Sequence, residues 1–217
     1  MRACGSQSTR QGAFCAFQTT AGQLISGSQV AMYEHLADFS GGPPNSSIYH
    51  LYALWARGGW GMVFTGNVQV DRGHLTLGRD MVAPLDLSEE FIRPFKQLAS
   101  IIHDSGDEVT PSLAIMQLSH GGRQSANGVG GRWPWLPPTA PSAVVVGSNG
   151  KENRLGRFLY RAMFTAPKAM DKLDIDRVVD AFVQGARLAQ FSGFDGIELH
   201  ASHGCESLCT SQTVEWT

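Results

Sequence analysis

A chain of 217 residues is long enough to bury a substantial core, as one large domain or two small ones. Its 42 % hydrophobic and 17 % charged content is that of a soluble globular protein, and a formal charge of −2 gives no electrostatic reason to expect nucleic acid or an anionic membrane as partner. Four cysteines, Cys4, Cys15, Cys205 and Cys209, lie near the two ends without a CxxC pair, which excludes a disulfide framework or zinc module and favours a reducing compartment. A cytoplasmic location is therefore the expectation. No apolar run approaches the length of a membrane span.

The opening stretch is rich in Ser, Thr, Gln and Gly and has no acidic residue before Glu34. That composition resembles an organelle-targeting segment, but Arg2 and Arg10 are too few to sustain the reading. A disordered or aberrant segment is expected over residues 1–29. Order begins near Val30, with Val30-Ala31-Met32 as a short strand and a polar loop through Gly41-Gly42-Pro43-Pro44-Asn45. Ser46 or Ser47 opens a helix carrying Leu51, Leu54 and Trp55, which stops at Gly58-Gly59. Met62-Val63-Phe64-Thr65 is a compact apolar strand leading into Gly66-Asn67-Val68.

Ser88-Glu89-Glu90 places a cap and two acids at the positive end of the next helix. Phe91, Phe95, Leu98 and Ile102 form its expected inward stripe, and Ser105-Gly106 its end. Residues Glu108 to Leu118 read as a third strand, with regular pairing confined by Pro111 to the later part. From Ser119 to Ala169 the alternation is interrupted by a Gly-, Pro- and Ser-rich excursion. Loops of such length in compact domains are usually functional or disordered. Its Trp133 and Trp135 read either as a ligand-facing lid or as pins for the loop.

A helix follows from about Asp174 to Ser192, with Ile175, Val178, Val179, Phe182, Ala186 and Ala189 at helical spacing. Asp174 is its expected cap, and Gly193 supplies the permissive backbone past its end. Gly196-Ile197-Glu198-Leu199-His200 then fits a strand buried between a barrel interior and an outer helix layer. His200 and His203 follow as an HxxH pair at the strand's carboxyl end, where ligands gather in α/β folds. On spacing alone this pair is equally a pair of loop histidines. A zinc site would want a third or fourth ligand, so no metal is expected, and a hydrolase built on His120, His200 and His203 is the weakest reading.

Four strands alternating with helices or loops imply a parallel sheet with right-handed crossovers. The pattern alone leaves open half of an eight-fold barrel or a small open sheet.

The segments AMYEHLADFSGGPP, GGWGMVFTGNVQVD, QLSHGGRQS, PSAV and GFDGIELHASHG resemble, in order and spacing, the old yellow enzyme family of NADH:flavin oxidoreductases, which are FMN-dependent ene reductases. The resemblance runs from about Val30 to Gly204, and QLxHxGR with ELHxxHG makes it specific. It implies the α/β class and the TIM (β/α)8 barrel, here only about the first four βα units, with the irregular excursion after the third strand. The barrel part would occupy residues 30–204. It implies FMN as cofactor and NADH or NADPH as reductant, with hydride passing via FMN to an activated C=C bond of a small electron-poor alkene.

The resemblance also assigns roles. Gln117 stands where the family hydrogen-bonds the flavin pyrimidine edge, for which an amide offers both donor and acceptor. Gly66 lies where a small residue lets backbone approach the isoalloxazine. Met32 and Tyr33 fall where the first strand passes the flavin, although the Tyr33 phenol is bulkier than the family's usual Thr or Cys. His200 and His203 match the pair whose N–H groups hold a substrate oxygen and stabilise charge developing on it. Each residue also has a plainer reading: Gln117 as a strand-end amide, Gly66 as a turn, and His120 and Arg123 as braces for the loop. Glu198 is expected to pack or pair inside the barrel.

After His203-Gly204 the family continues with a proton-donating tyrosine and an Arg-Thr-Asp segment, where this chain has Cys205 and an unrelated tail over residues 205–217. The expectation is a truncated member of the family, impaired in activity, with exposed sheet edges that favour self-association. The alternative is a non-catalytic fragment or interaction protein derived from that family.

Overall fold

The computed structural model describes residues 17–18, 24–25, 27–104, 111–145, 158 and 163–201. Ser105-Gly106, Glu108, His203, Cys205 and the tail lie outside the described residues. Within the opening segment expected to lack order, β1 (Phe17–Gln18) and β2 (Leu24–Ile25) form a two-residue antiparallel pair. The first strand of the main sheet is β3 (Ser28–Gln29), two residues before the expected position. Val30 to Met32 continue it outside any ladder, with Val30 and Met32 exposed.

The helix α1 (Ser46–Ala56) opens at Ser46 as expected, and Asn45 caps it, its side-chain oxygen accepting the backbone N–H groups of Ser47 and Ile48. The buried stripe of α1 is Ile48, Tyr52 and Ala56, at successive i, i+4 steps, while Leu54 faces out. Next come β4 (Met62–Phe64), β5 (Val68–Gln69) and the short β6 (Met81–Val82). In α2 (Glu89–His103) the inward stripe is Ile92, Phe95, Leu98, Ala99 and Ile102. Phe91, expected inside, is half exposed: the core lies one residue further round the helix. The Tyr49 hydroxyl donates to the Pro94 carbonyl at 3.1 Å and ties α1 to α2.

The central strand is β7 (Leu113–Ser119). The excursion after it carries β8 (Thr139–Ala140), which pairs in parallel with β9 (Lys168–Ala169). The last helix, α3 (Lys172–Phe191), begins two residues earlier than expected. Asp171 is its cap, and Asp174 completes a reciprocal capping box from the third helical position. Of its expected apolar face only Ala189 is fully buried, alongside Gly185 and Leu188, whereas Val179 is exposed. Gly193, at φ +79°, turns the chain into β10 (Gly196–Leu199).

All pairings of the main sheet are parallel. β3 lies beside β4, β4 beside β7, and β7 beside β10, so the four principal strands succeed one another in chain order. Such sequential parallel pairing, with α1, α2 and α3 as crossovers, is the winding of one half of an eight-stranded barrel. β5 continues β4 along the same edge of β7. Phe64 is opposite Ile115 and Val68 opposite Leu118, so four steps on one strand match three on the other. The surplus residue makes a bulge at Thr65–Asn67.

Ala114, Met116 and Leu118 of β7 are buried in the core with Phe95, Leu98, Ile102 and Leu188 of the helices. Each of the larger side chains, removed from water, contributes about 1.5–3 kcal/mol before entropy is counted. Gln117 and Ser119 point to the opposite, interior face and are also buried. In β10 the expected burial is only half realised: Ile197 is 42 % and Leu199 55 % exposed. Both stand in register with Met116 and Leu118, on the helix-facing side, but among the described residues β10 has no neighbour beyond it.

Candidate functional site

The carboxyl ends of the parallel strands converge on Met32 and Tyr33 after β3, Thr65 and Gly66 after β4, Gln117 near the end of β7, and His200 after β10. The bulge organises the centre of this group. Thr65 donates its backbone N–H to the Ile115 carbonyl at 2.8 Å, and its hydroxyl oxygen accepts the Gln117 N–H at 2.9 Å. A side chain thus fills the ladder position that the surplus residue leaves open. The Gln117 amide projects inside and its Nε2 donates to Glu198 Oε2 at 3.1 Å, so Glu198 pairs within the interior as expected. The His200 backbone N–H donates to the Leu118 carbonyl at 2.9 Å, fixing the start of the segment beyond β10.

Gly66 is enclosed. A Cβ there would overlap the Glu34 carboxylate and the Met32 carbonyl oxygen, so no larger residue fits this backbone path. Its N–H points at Glu34 Oε1 at 3.0 Å and at the Tyr52 phenol oxygen at 2.7 Å. The Tyr52 hydroxyl in turn donates to Glu34 Oε1. Burial pushes the Glu34 carboxyl above its ordinary pKa, against the Tyr52 and Gly66 hydrogen bonds that favour its ionised form. Burial also drives the Tyr52 phenol well up, and the neighbouring Glu34 adds to that shift. Sequence reasoning missed this triad. The available signal was Tyr52 four residues after Ile48, on the face of α1 that turns inward.

Tyr33 is held differently from Met32. Its hydroxyl donates to the Gly78 carbonyl and accepts the Leu77 N–H, each at 3.4 Å, and its ring lies 3.7 Å from that of His35. Burial, then the nearby Asp80 carboxylate, raises the phenol pKa. The side chain is therefore anchored on the 77–80 loop. Met32 is more than half exposed.

A second cluster joins Asp71, His74 and His120. His74 Nδ1 lies 2.7 Å from Asp71 Oδ2, His120 Nε2 lies 3.7 Å from the same oxygen, and the two rings stack at 4.5 Å. Burial alone would raise the Asp71 pKa. The nearby His120 ring N–H and the hydrogen bond with His74 outweigh it and hold the carboxylate well below its usual range. Ligand atoms of the three residues lie within 4.8 Å of one another, close enough for a metal, and the group does not include His200. However, His74 Nε2 accepts the Thr139 N–H at 3.0 Å and His120 Nδ1 accepts the Gly122 N–H at 3.2 Å. With those lone pairs committed to backbone, the cluster is a brace joining the 71–74 turn to the excursion. Arg123 acts alike, donating to Ser142 Oγ at 3.2 Å and to the Val144 carbonyl at 3.4 Å. Trp133 and Trp135 stack on one another at 5.0 Å and remain largely exposed.

Comparison with known proteins identifies the family and the fold. Residues 29–205 match the model of the NADH:flavin oxidoreductase / NADH oxidase family. An NADH-dependent flavin oxidoreductase of Neonectria sp. (strain DH2) is 37 % identical over 162 residues, covering 74 % of this chain and 20 % of that one. Another, of Talaromyces variabilis, is 40 % identical over 163 residues, covering 74 % and 37 %. Among solved structures, morphinone reductase superposes with a TM-score of 0.65 at 19 % identity, covering 91 % of this chain and 50 % of that one. The old yellow enzyme homologue of Zymomonas mobilis gives 0.66 at 21 % identity, covering 88 % and 49 %.

These neighbours are TIM barrels, and the four parallel strands here correspond to part of one. The chain belongs to the NADH:flavin oxidoreductase / NADH oxidase family, whose members use FMN with NAD(P)H as reductant. It spans 20 % and 37 % of the length of these two curated relatives and about half of the solved structures.

To a flavin ring edge the described residues offer the Gln117 amide at a strand end and the Gly66 backbone, whose Cβ position is taken by the Glu34 side chain from the irregular segment after β3.

Proposed function

We propose that this chain supplies the flavin-edge and substrate-oxygen contacts of an FMN-dependent NAD(P)H oxidoreductase of the ene-reductase type. The observation that carries the reading is the tie between Thr65 and Gln117, which holds the Gln117 backbone against the bulge that carries Gly66. When bound, FMN would relay hydride from NAD(P)H to an activated C=C bond. Gln117 offers one donor and one acceptor to the pyrimidine edge, and Gly66 admits the ring plane. Met32 flanks the ring from the first strand, and Tyr33 fixes that strand's exit by its anchorage on the 77–80 loop. His200 and His203 orient the substrate oxygen by N–H donation and stabilise charge that develops on it. The substrate class is a small molecule bearing an electron-poor alkene.

The test is the visible absorption spectrum of the purified chain after incubation with FMN and desalting. A retained flavin band that shifts when a phenol is added supports the reading. A colourless protein sinks it.

A second reading, an interaction module derived from the family, is favoured by the exposed Ile197 and Leu199 on the outer strand β10. It predicts folded protein that retains no flavin.

A further inference from the structure

We infer that Glu34 is a built-in competitor for the flavin edge, its carboxyl occupying the Gly66 cradle until the cofactor displaces it. The inference rests on the reading of Gly66 as the backbone that the flavin ring approaches.

Three observations carry it. The space left by the missing Cβ of Gly66 is filled by the Glu34 carboxylate itself, since the atom nearest to a built Cβ is Glu34 Oε2. The Gly66 N–H, the donor that the cradle offers, is spent on Glu34 Oε1 and on the Tyr52 phenol. The carboxyl is held in place from α1, where the buried Tyr52 hydroxyl donates to it. A ring plane cannot enter the same volume while Glu34 remains there.

The geometry also makes withdrawal feasible. Glu34 sits on the irregular segment after β3, outside any ladder, and the next residue, His35, takes a left-handed backbone at φ 52°. Swinging the side chain out breaks no sheet pairing. Burial disfavours the ionised carboxyl where it lies, so its return to water offsets part of the hydrogen bonding lost.

The experiment compares FMN dissociation constants, from quenching of FMN fluorescence, for the wild-type chain, Glu34→Ala, Glu34→Gln and Tyr52→Phe. Amide hydrogen exchange at Gly66 is followed in the flavin-free proteins. Glu34→Ala is expected to bind FMN about tenfold more tightly, the value of roughly one displaced hydrogen bond, with faster exchange at Gly66. Glu34→Gln keeps an acceptor in the cradle and stays near wild type. Tyr52→Phe removes the hydroxyl that holds the carboxyl and shifts affinity in the same direction, so it decides the matter if Glu34→Ala does not fold. Equal or weaker FMN binding in both Glu34→Ala and Tyr52→Phe overturns the inference while leaving the flavin reading intact. Absence of FMN binding in every protein, wild type included, overturns the flavin reading and this inference with it.

Discussion

Thr65 and Gln117 are joined across two parallel strands: the Thr65 hydroxyl oxygen accepts the Gln117 backbone N–H at 2.9 Å, and the same hydroxyl donates to the Gly66 carbonyl at 2.9 Å. One side chain therefore completes the ladder on one side and fixes the peptide of the cradle glycine on the other. Both Thr65 and Gln117 are buried, so neither bond has water as a ready substitute.

Replacing Thr65 by Val keeps the shape and removes the acceptor. The Gln117 N–H is then buried without a partner, at a cost of about 1–3 kcal/mol. Urea denaturation is expected to show that loss in Thr65→Val and little of it in Thr65→Ser. A Thr65→Val chain as stable as wild type would show that the bulge is held by packing alone.

The Asp71 brace predicts a pH dependence. Its folded-state pKa lies below that of the unfolded chain, so the stability it contributes is present above about pH 3.9 and is lost as pH falls through the folded value. The melting temperature of wild type should therefore drop on acidification below pH 4 more steeply than that of Asp71→Asn, which forfeits the contribution at every pH. Parallel curves for the two proteins between pH 2 and 6 would remove Asp71 from the acid response.

Some of this architecture could be read from residues in isolation, because local pattern and final packing agree there. The four principal strands, their parallel sense and the helices α2 and α3 belong to that group. Other features depend on the phase at which an element meets the core. Phe91 and Ile92 are adjacent apolar residues, and only the docking of α2 on β7 decides that Ile92 is the buried one. Val30-Ala31-Met32 is the apolar run, yet the register with Met62 and Val63 puts the ladder at Ser28 and Gln29. The site divides in the same way. Gln117, Gly66 and His200 are legible through short motifs, whereas Glu34 reaches Gly66 across 32 residues of sequence and Tyr52 reaches it across 14, separations that no local pattern reports.

Ile197 and Leu199 make a prediction about solution behaviour. They lie on the outer principal strand, with roughly half of each side chain in water and unpaired backbone beyond them among the described residues. An apolar sheet edge of this kind pairs readily with a second copy. Light scattering of the 217-residue chain is expected to show self-association that falls in the double variant Ile197→Thr, Leu199→Thr. Unchanged scattering would place any association elsewhere on the surface.

His200 separates ligand recognition from flavin retention. Its backbone is pinned to Leu118, so truncating the side chain leaves the end of β10 in place. His200→Ala should retain whatever FMN the wild-type chain retains, because the assigned flavin contacts are Gly66 and Gln117. The spectral titration with a phenol should weaken by about tenfold, the worth of one hydrogen bond to a partly charged oxygen. An unaltered phenol titration would remove His200 from the oxygen site, and loss of the flavin band itself would make it a cofactor contact instead.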